Sequence, residues 1–193
     1  MPDLVHVIFE THSTTEDNEI GIGTGWNPGQ LSAAGREQAR LLGERRRDDG
    51  ITAIFTSDLE RALETVSIAF GNAGIPVLHD WRLRECNYGA LNGTEAAIDE
   101  PSSYIDTPYP DGESWTEAID RVLSFLPDLY RWHGRRVLVI GHAATGRALR
   151  RYATGRTIQE LLSEPFNWQP GWEYEIRIDS ETAGPSRPTL FEP

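Results

Sequence analysis

Three short runs rich in Val and Ile, Leu4–Phe9, Ile51–Phe55 and Arg136–Ile140, are apolar nearly throughout, the pattern of parallel strands covered on both faces. Each leads into a segment with helical spacing. After the middle run, Ser57-Asp58-Leu59-Glu60 predicts a capping box, and Leu59, Ala62, Leu63, Val66 and Ala69 form a helical stripe with Arg61 off it, near the helix start. Ser114-Trp115-Thr116-Glu117 predicts a second capping box, followed by Trp115, Ala118, Ile119, Val122, Leu126 and Leu129 on one face, with Pro127 kinking or shortening the helix and Gly134 stopping it. A polar helix is expected between Ser32 and Asp48, with a weaker stripe of Leu31, Ala34, Leu41 and Leu42, and another from His142 through Leu149 and Tyr152. Val77–Leu83 and Gly171–Ile178 read as further strands, the latter alternating as a sheet edge does. Alternating strands and helices predict an α/β fold, a three-layer α/β/α sandwich around a mostly parallel central sheet.

Length and composition narrow this picture. A chain of 193 residues, 38% hydrophobic and 25% charged, fits a single domain over 1–193 with a sizeable core. Pro101–Pro110, with three prolines and two tyrosines, reads as part of an ordered insertion or lid around 86–112, and 182–193 as a loose tail. The apolar runs are far shorter than the roughly 18–20 residues of a membrane span, and Met1-Pro2-Asp3 begins no signal peptide, so a cytoplasmic location is expected. The lone Cys86 excludes an internal disulfide and a Cys-x-x-Cys pair. A net charge of −12 argues against nucleic acid or an anionic membrane as partner and leaves small molecules. All 18 basic residues are arginine, which removes Schiff-base and Walker-loop chemistry and leaves bidentate guanidinium forks for an anion.

In an open α/β sheet, ligands bind over the carboxyl ends of the strands. There this chain places Glu10-Thr11-His12-Ser13-Thr14-Thr15, then Ser57 with Arg61 one turn on, then Gly141-His142-Ala143. Two histidines, one arginine and helix N-termini on one rim suit an anion, with phosphate the expected guest.

These segments, in order, resemble the histidine phosphatase superfamily, the phosphoglycerate-mutase-like fold, over most of 4–178. The resemblance is carried by Ile8–Thr15 with Asn18, by Leu31–Ala39, by Phe55–Thr65 with its serine-to-arginine-to-threonine helix start, by Leu83–Gly89 with Asn92-Gly93, by Gly112-Glu113-Ser114 and by Val137–His142. It implies a metal-independent phosphohydrolase without cofactor, acting on a small phosphorylated metabolite. His12 would attack phosphorus and become a phosphohistidine, and Arg61 and a protonated His142 would neutralise the equatorial oxygens. Glu85 would give its proton to the leaving oxygen and later take one from water. Thr11, Ser13, Asn18 and Ala143 would complete the substrate site. Mutase chemistry needs a closed site that retains and returns the phosphoryl group, and nothing in the chain singles that out.

The chain departs from the family pattern on both sides of the nucleophile, where Thr11 and Ser13 stand in place of an arginine and a glycine. Arg82, Arg84 and Arg147 are the candidates to replace the lost charge. The alternative is an altered or inactive member: a pseudo-phosphatase, a binding module, or an enzyme whose substrate carries no transferable phosphate. Other residues take plainer readings. His6 is expected in or near the core, His79 and His133 on the surface, and Cys86 in a structural role, because Asn92 stands where a cysteine-dependent phosphatase loop needs its arginine. Gly21–Gly25 is expected as a mobile loop over the site, and Trp26, Trp168 and Trp172 as core packing or an apolar pocket wall.

Overall fold

The computed structural model describes residues 4–164 and 169–177. The three apolar runs are parallel strands β1 (Leu4–Thr11), β2 (Ile51–Thr56) and β4 (Arg136–Gly141), joined by β3 (Val77–His79) and β5 (Trp172–Arg177) in the order β3-β2-β4-β1-β5. Only β5 runs antiparallel, along the outer edge of β1. The helices are α1 (Glu16–Glu19), α2 (Ala33–Arg46), α3 (Glu60–Phe70), α4 (Ala96–Asp99), α5 (Trp115–Leu123), α6 (Ala143–Thr154) and α7 (Ile158–Ser163).

Strand side chains alternate between faces, so each face has its own core. Ile8, Ile54, Leu138 and Ile140 pack with Leu42 of α2 and Val66 and Phe70 of α3. Val7, Phe9, Phe55, Val137 and Val139 pack on the opposite face with Ile119 and Val122 of α5 and Ala148 and Leu149 of α6. This is the expected three-layer sandwich, and the double burial explains why the central runs carry so few polar residues.

Local expectations met mixed outcomes. The second capping box forms: Ser114 Oγ accepts from Glu117 N, and Glu117 accepts from Ser114 N. Pro127 sits at the start of a tight turn, Leu126–Trp132, rather than inside the helix, which ends at Leu123. The strand expected over Val77–Leu83 stops at His79, because the Asp80 side chain accepts from Arg82 N and winds Trp81–Leu83 into a 3-10 turn. The capping box expected at Ser57 does not form; α3 starts after Leu59 with no side-chain cap, and Ser57 is used elsewhere. His6 is not core: it shares strand parity with Ile8 but is left uncovered, 3.9 Å from Glu175 of β5. His79 and His133 are exposed, as expected. Trp168 and 182–193 lie outside the described residues.

The 86–112 segment packs closely. Tyr104 and Tyr109 stack with ring centroids 3.8 Å apart, and Tyr109 Oη donates to Ala97 O. It is joined to the Gly21–Gly25 loop by a backbone bridge between Gly23 and Thr94. Gly25 has a positive φ of 58°, and a Cβ there would stand 1.8 Å from Asn92 Oδ1, so only glycine lets the two loops close together. Among the described residues no helix is long and apolar enough to cross a membrane.

Candidate active site

β1, β4 and β2 are neighbours, so their carboxyl ends bring three distant segments to one rim. Thr11 pairs with Gly141, and His12 N donates to Gly141 O at 2.8 Å, which sets His12 and His142 side by side with ring centroids 5.0 Å apart. α3 follows β2 and lays Arg61 across the same rim.

His12 Nδ1 lies 2.8 Å from the Ser13 carbonyl. An oxygen that only accepts fixes the proton on Nδ1 and leaves Nε2 with a free lone pair. Ser13 N in turn donates to Thr65 Oγ1, which donates to Arg61 O, so α3 holds the peptide that orients the ring. Burial, then the charge of Arg61, push the His12 pKa down to about 3, against the opposing effect of the Ser13 carbonyl. His12 is therefore a neutral imidazole at ordinary pH.

Arg61 is 2% exposed. It donates to Gly25 O at 2.8 Å, to Asn27 O at 3.3 Å, and through Nε to His12 Nε2 at 3.3 Å. Among the described residues no carboxylate lies within 4 Å of it. Burial pulls its pKa below the ordinary arginine value, and Glu85, Tyr88 and Asp17 oppose this. A guanidinium held by carbonyls, without a counter-ion, is a site prepared for an anion.

His142, at the N-terminus of α6, is fully buried. Ser57 Oγ lies 2.6 Å from its Nε2 and also accepts from Leu59 N, so the hydroxyl hydrogen is available to Nε2 and the ring proton to Nδ1. That Nδ1 is buried without a hydrogen-bond partner. Burial first, then Arg61, His12 and Arg121, push the His142 pKa well below the ordinary value. This environment favours a neutral ring with its proton on Nδ1, in contrast to the protonated His142 that the resemblance implies.

The two rings carry a prediction. In the fold both resist protonation, whereas in the unfolded chain they take protons below about pH 6.5. Stability is therefore full above that pH and is lost as pH falls toward the folded-state value of about 3 for His12. The urea midpoint should drop between pH 7 and pH 5, and His142→Asn should flatten the slope. A midpoint constant over that range would show rings that titrate normally.

Glu85 is buried at the start of α6. Its Oε1 accepts from Cys86 N and Ala144 N, and its Oε2 from Ala143 N, at 2.9–3.0 Å. The Glu85 carbonyl is clamped by the Trp26 indole at 2.7 Å and by Arg121 at 3.0 Å. Cys86 beside it is buried, with its thiol pushed up by burial.

His12, Arg61, Glu85 and His142 are thus brought together. The four supporting residues divide. Thr11 and Asn18 line the cavity, and Asn18 Oδ1 accepts from Thr15 N, which leaves its Nδ2 as the donor. Ala143 also lines it, but its N–H is given to Glu85. Ser13 is buried and acts here through its backbone on His12 and Thr65. The space consists of two adjoining cavities that share His12, Asn18, Glu85 and Ala143. One, of about 220 Å³, runs between Arg61, Tyr88, Ile98 and Arg147 under the paired loops. The other, about 730 Å³, opens beside Thr11, Thr14 and Gln38.

The arginines proposed to replace the charge missing at Thr11 behave differently. Arg82 is bound to Asp80 and Asp128, and Arg84 to Asp58 while stacked over Trp26. Arg147 reaches the cavity, but in the smaller lobe, not beside Thr11. Trp26 is a positioning residue outside the cavity, and Trp172 packs on Phe9 with centroids 5.6 Å apart. The sequence reading missed Ser57 as partner of His142, Trp26 as clamp of Glu85, and the carbonyls of Gly25 and Asn27 as holders of Arg61.

A fold of this topology, with paired histidines and a buried arginine at its strand ends, defines a class: the chain belongs to the histidine phosphatase superfamily (branch 1), whose sequence profile matches residues 7–182. Across 99% of its length it is 28% identical to phosphoglycerate mutase 1 of Saccharomyces cerevisiae, of which 92% is covered. Among solved structures, YhfR of Bacillus stearothermophilus superposes with a TM-score of 0.78 at 26% identity, covering 91% of this chain and 92% of that one. The α-ribazole phosphatase of Shigella flexneri shares the fold, with a TM-score of 0.74 at 20% identity, over 94% of this chain and 100% of that one.

Proposed function

We propose that the protein is a metal-independent phosphohydrolase, acting in the cytoplasm on a small phosphomonoester through a phosphohistidine on His12. The observation that carries this reading is the buried Arg61, with no carboxylate within 4 Å among the described residues, set against the unprotonated Nε2 of a neutral His12, to which it donates. Nε2 attacks phosphorus in line while the bond to the ester oxygen breaks, and that oxygen leaves with the Glu85 proton. Water then attacks the phosphohistidine, gives its proton back to Glu85, and phosphate departs. Arg61, the Nδ1–H of His142 and the Asn18 amide bind the equatorial oxygens as charge moves onto them. Arg61 leaves His12 Nε2 to do so, which frees the lone pair at the moment of attack.

The test is turnover of p-nitrophenyl phosphate and a panel of sugar and nucleotide phosphates in excess chelator. Release of phosphate that survives chelation supports the reading; no turnover of any phosphomonoester overturns it.

Thr11 supports a second reading, in which the pocket is specialised away from general phosphatase work or holds a ligand without phosphoryl transfer. The wall beside it is uncharged: Thr14 donates through N and Oγ1 to Gln38 Oε1 at 2.9–3.1 Å. A charge-assisted bond is worth about 1.5–3 kcal/mol, so Thr11→Arg should raise kcat/KM for an aryl phosphate by roughly 10–150-fold. A variant that is no better than wild type would show that the site has no use for a second cation there.

A further inference from the structure

The smaller cavity holds a second guanidinium that the transfer chemistry does not use. Arg147 stands one turn beyond Ala143 on α6, and its guanidinium lies 4.7 Å over the Trp115 ring. Among the described residues no carboxylate lies within 4 Å of it, whereas Arg150, one turn farther on, is paired with Glu164. In a chain of net charge −12, most charged groups around this site are spoken for: Arg82, Arg84 and Arg121 by Asp80, Asp58 and Glu113. Among the described residues, Arg61 and Arg147 are the two cations lining this space, and Glu85 is the one acidic side chain. Glu85 is tied to the start of α6 and makes no ion pair with Arg147.

Arg61 faces His12, while Arg147 lies among Ala97, Ile98, Pro101 and Trp115, beneath the segment that covers the cavity. The loops bridged at Gly23 and Thr94 bound a lobe of about 220 Å³, which limits the portion of a substrate beside Arg147 to a small group. We propose that Arg147 is a specificity-determining residue that binds a second anionic group on the leaving portion of the substrate, so that the preferred substrate is a small phosphomonoester bearing a carboxylate or a further phosphate. This rests on the phosphohydrolase reading. Trp115 supports the guanidinium by a cation–π contact, and a planar fork meets a carboxylate or phosphate with two parallel bonds.

The test is a series of similar size and different charge: phosphoglycolate, 2-hydroxyethyl phosphate and phosphoethanolamine, with ethane-1,2-diyl bisphosphate to separate carboxylate from phosphate. Wild type should favour phosphoglycolate or the bisphosphate over the hydroxyethyl ester by about 10–100-fold in kcat/KM, and disfavour the ammonium ester. In Arg147→Gln the ratio should collapse toward one, mainly through KM, and Arg147→Lys should restore part of it. Hydrolysis of all esters at equal rates would sink the inference and leave the phosphohydrolase reading standing. Binding decides the matter even without turnover: phosphoglycolate should bind His12→Ala about 10-fold or more tightly than His12→Ala/Arg147→Gln by calorimetry, and equal affinities would overturn the assignment.

Discussion

His12→Ala is expected to fold as wild type does and to lose at least about 10⁴-fold in kcat on an aryl phosphate. The ring makes its fixed hydrogen bond to the neighbouring Ser13 carbonyl, and Arg61, its second partner, keeps its bonds to the Gly25 and Asn27 carbonyls when the ring is removed. What disappears is the only neutral imidazole Nε2 beside the Arg61 guanidinium, since the Nε2 of His142 is occupied by Ser57. Circular dichroism and a steady-state assay in chelator check both halves. Activity within about tenfold of wild type would place the nucleophile elsewhere.

Arg61→Gln should lower kcat/KM by about 10³-fold, the scale of one charged donor lost from a buried phosphoryl site. It should also move a neighbour. The charge of Arg61 is the second cause, after burial, of the low His12 pKa, so neutralising it should raise that pKa above about 3. NMR titration of the His12 ring reads this directly. A large loss of activity with an unmoved His12 titration would mean that Arg61 acts on substrate alone and not on the nucleophile.

Much of this arrangement is legible in the chain, for identifiable reasons. β1, β2 and β4 are buried on both faces, so their composition alone marks them. A parallel sheet then gathers His12, Arg61 and His142, because the ends of neighbouring strands share one rim. Glu85 follows from the motif around it, whereas its anchoring at the start of α6 required the fold.

The misreadings come from partners far away in sequence. Ser57-Asp58-Leu59-Glu60 has the spacing of a helix cap, yet the Ser57 hydroxyl is taken by His142, 85 residues on, and that tertiary bond wins over the local one. Val77–Leu83 looks continuous as a strand, but Asp80 captures the Arg82 N–H and turns the chain. His6 has the parity of a core residue yet is exposed near the start of β1, beside Glu175. The carbonyls that hold Arg61 carry no side-chain signal; only the glycine run at 21–25 hints that backbone approaches something closely there. Arg147 reads as an ordinary helix charge until Trp115 from another helix is seen beneath it.

In the proposed reaction the phosphoryl group passes covalently through His12. Rapid mixing with substrate followed by alkaline quench and peptide mass spectrometry detects that intermediate. The expected result is a phosphoryl group on the peptide containing His12, stable to base, labile to acid, formed and lost at rates that match turnover, and missing from His12→Ala. Turnover with no phosphorylated peptide at any time, or with the phosphoryl group on a different residue, would contradict it.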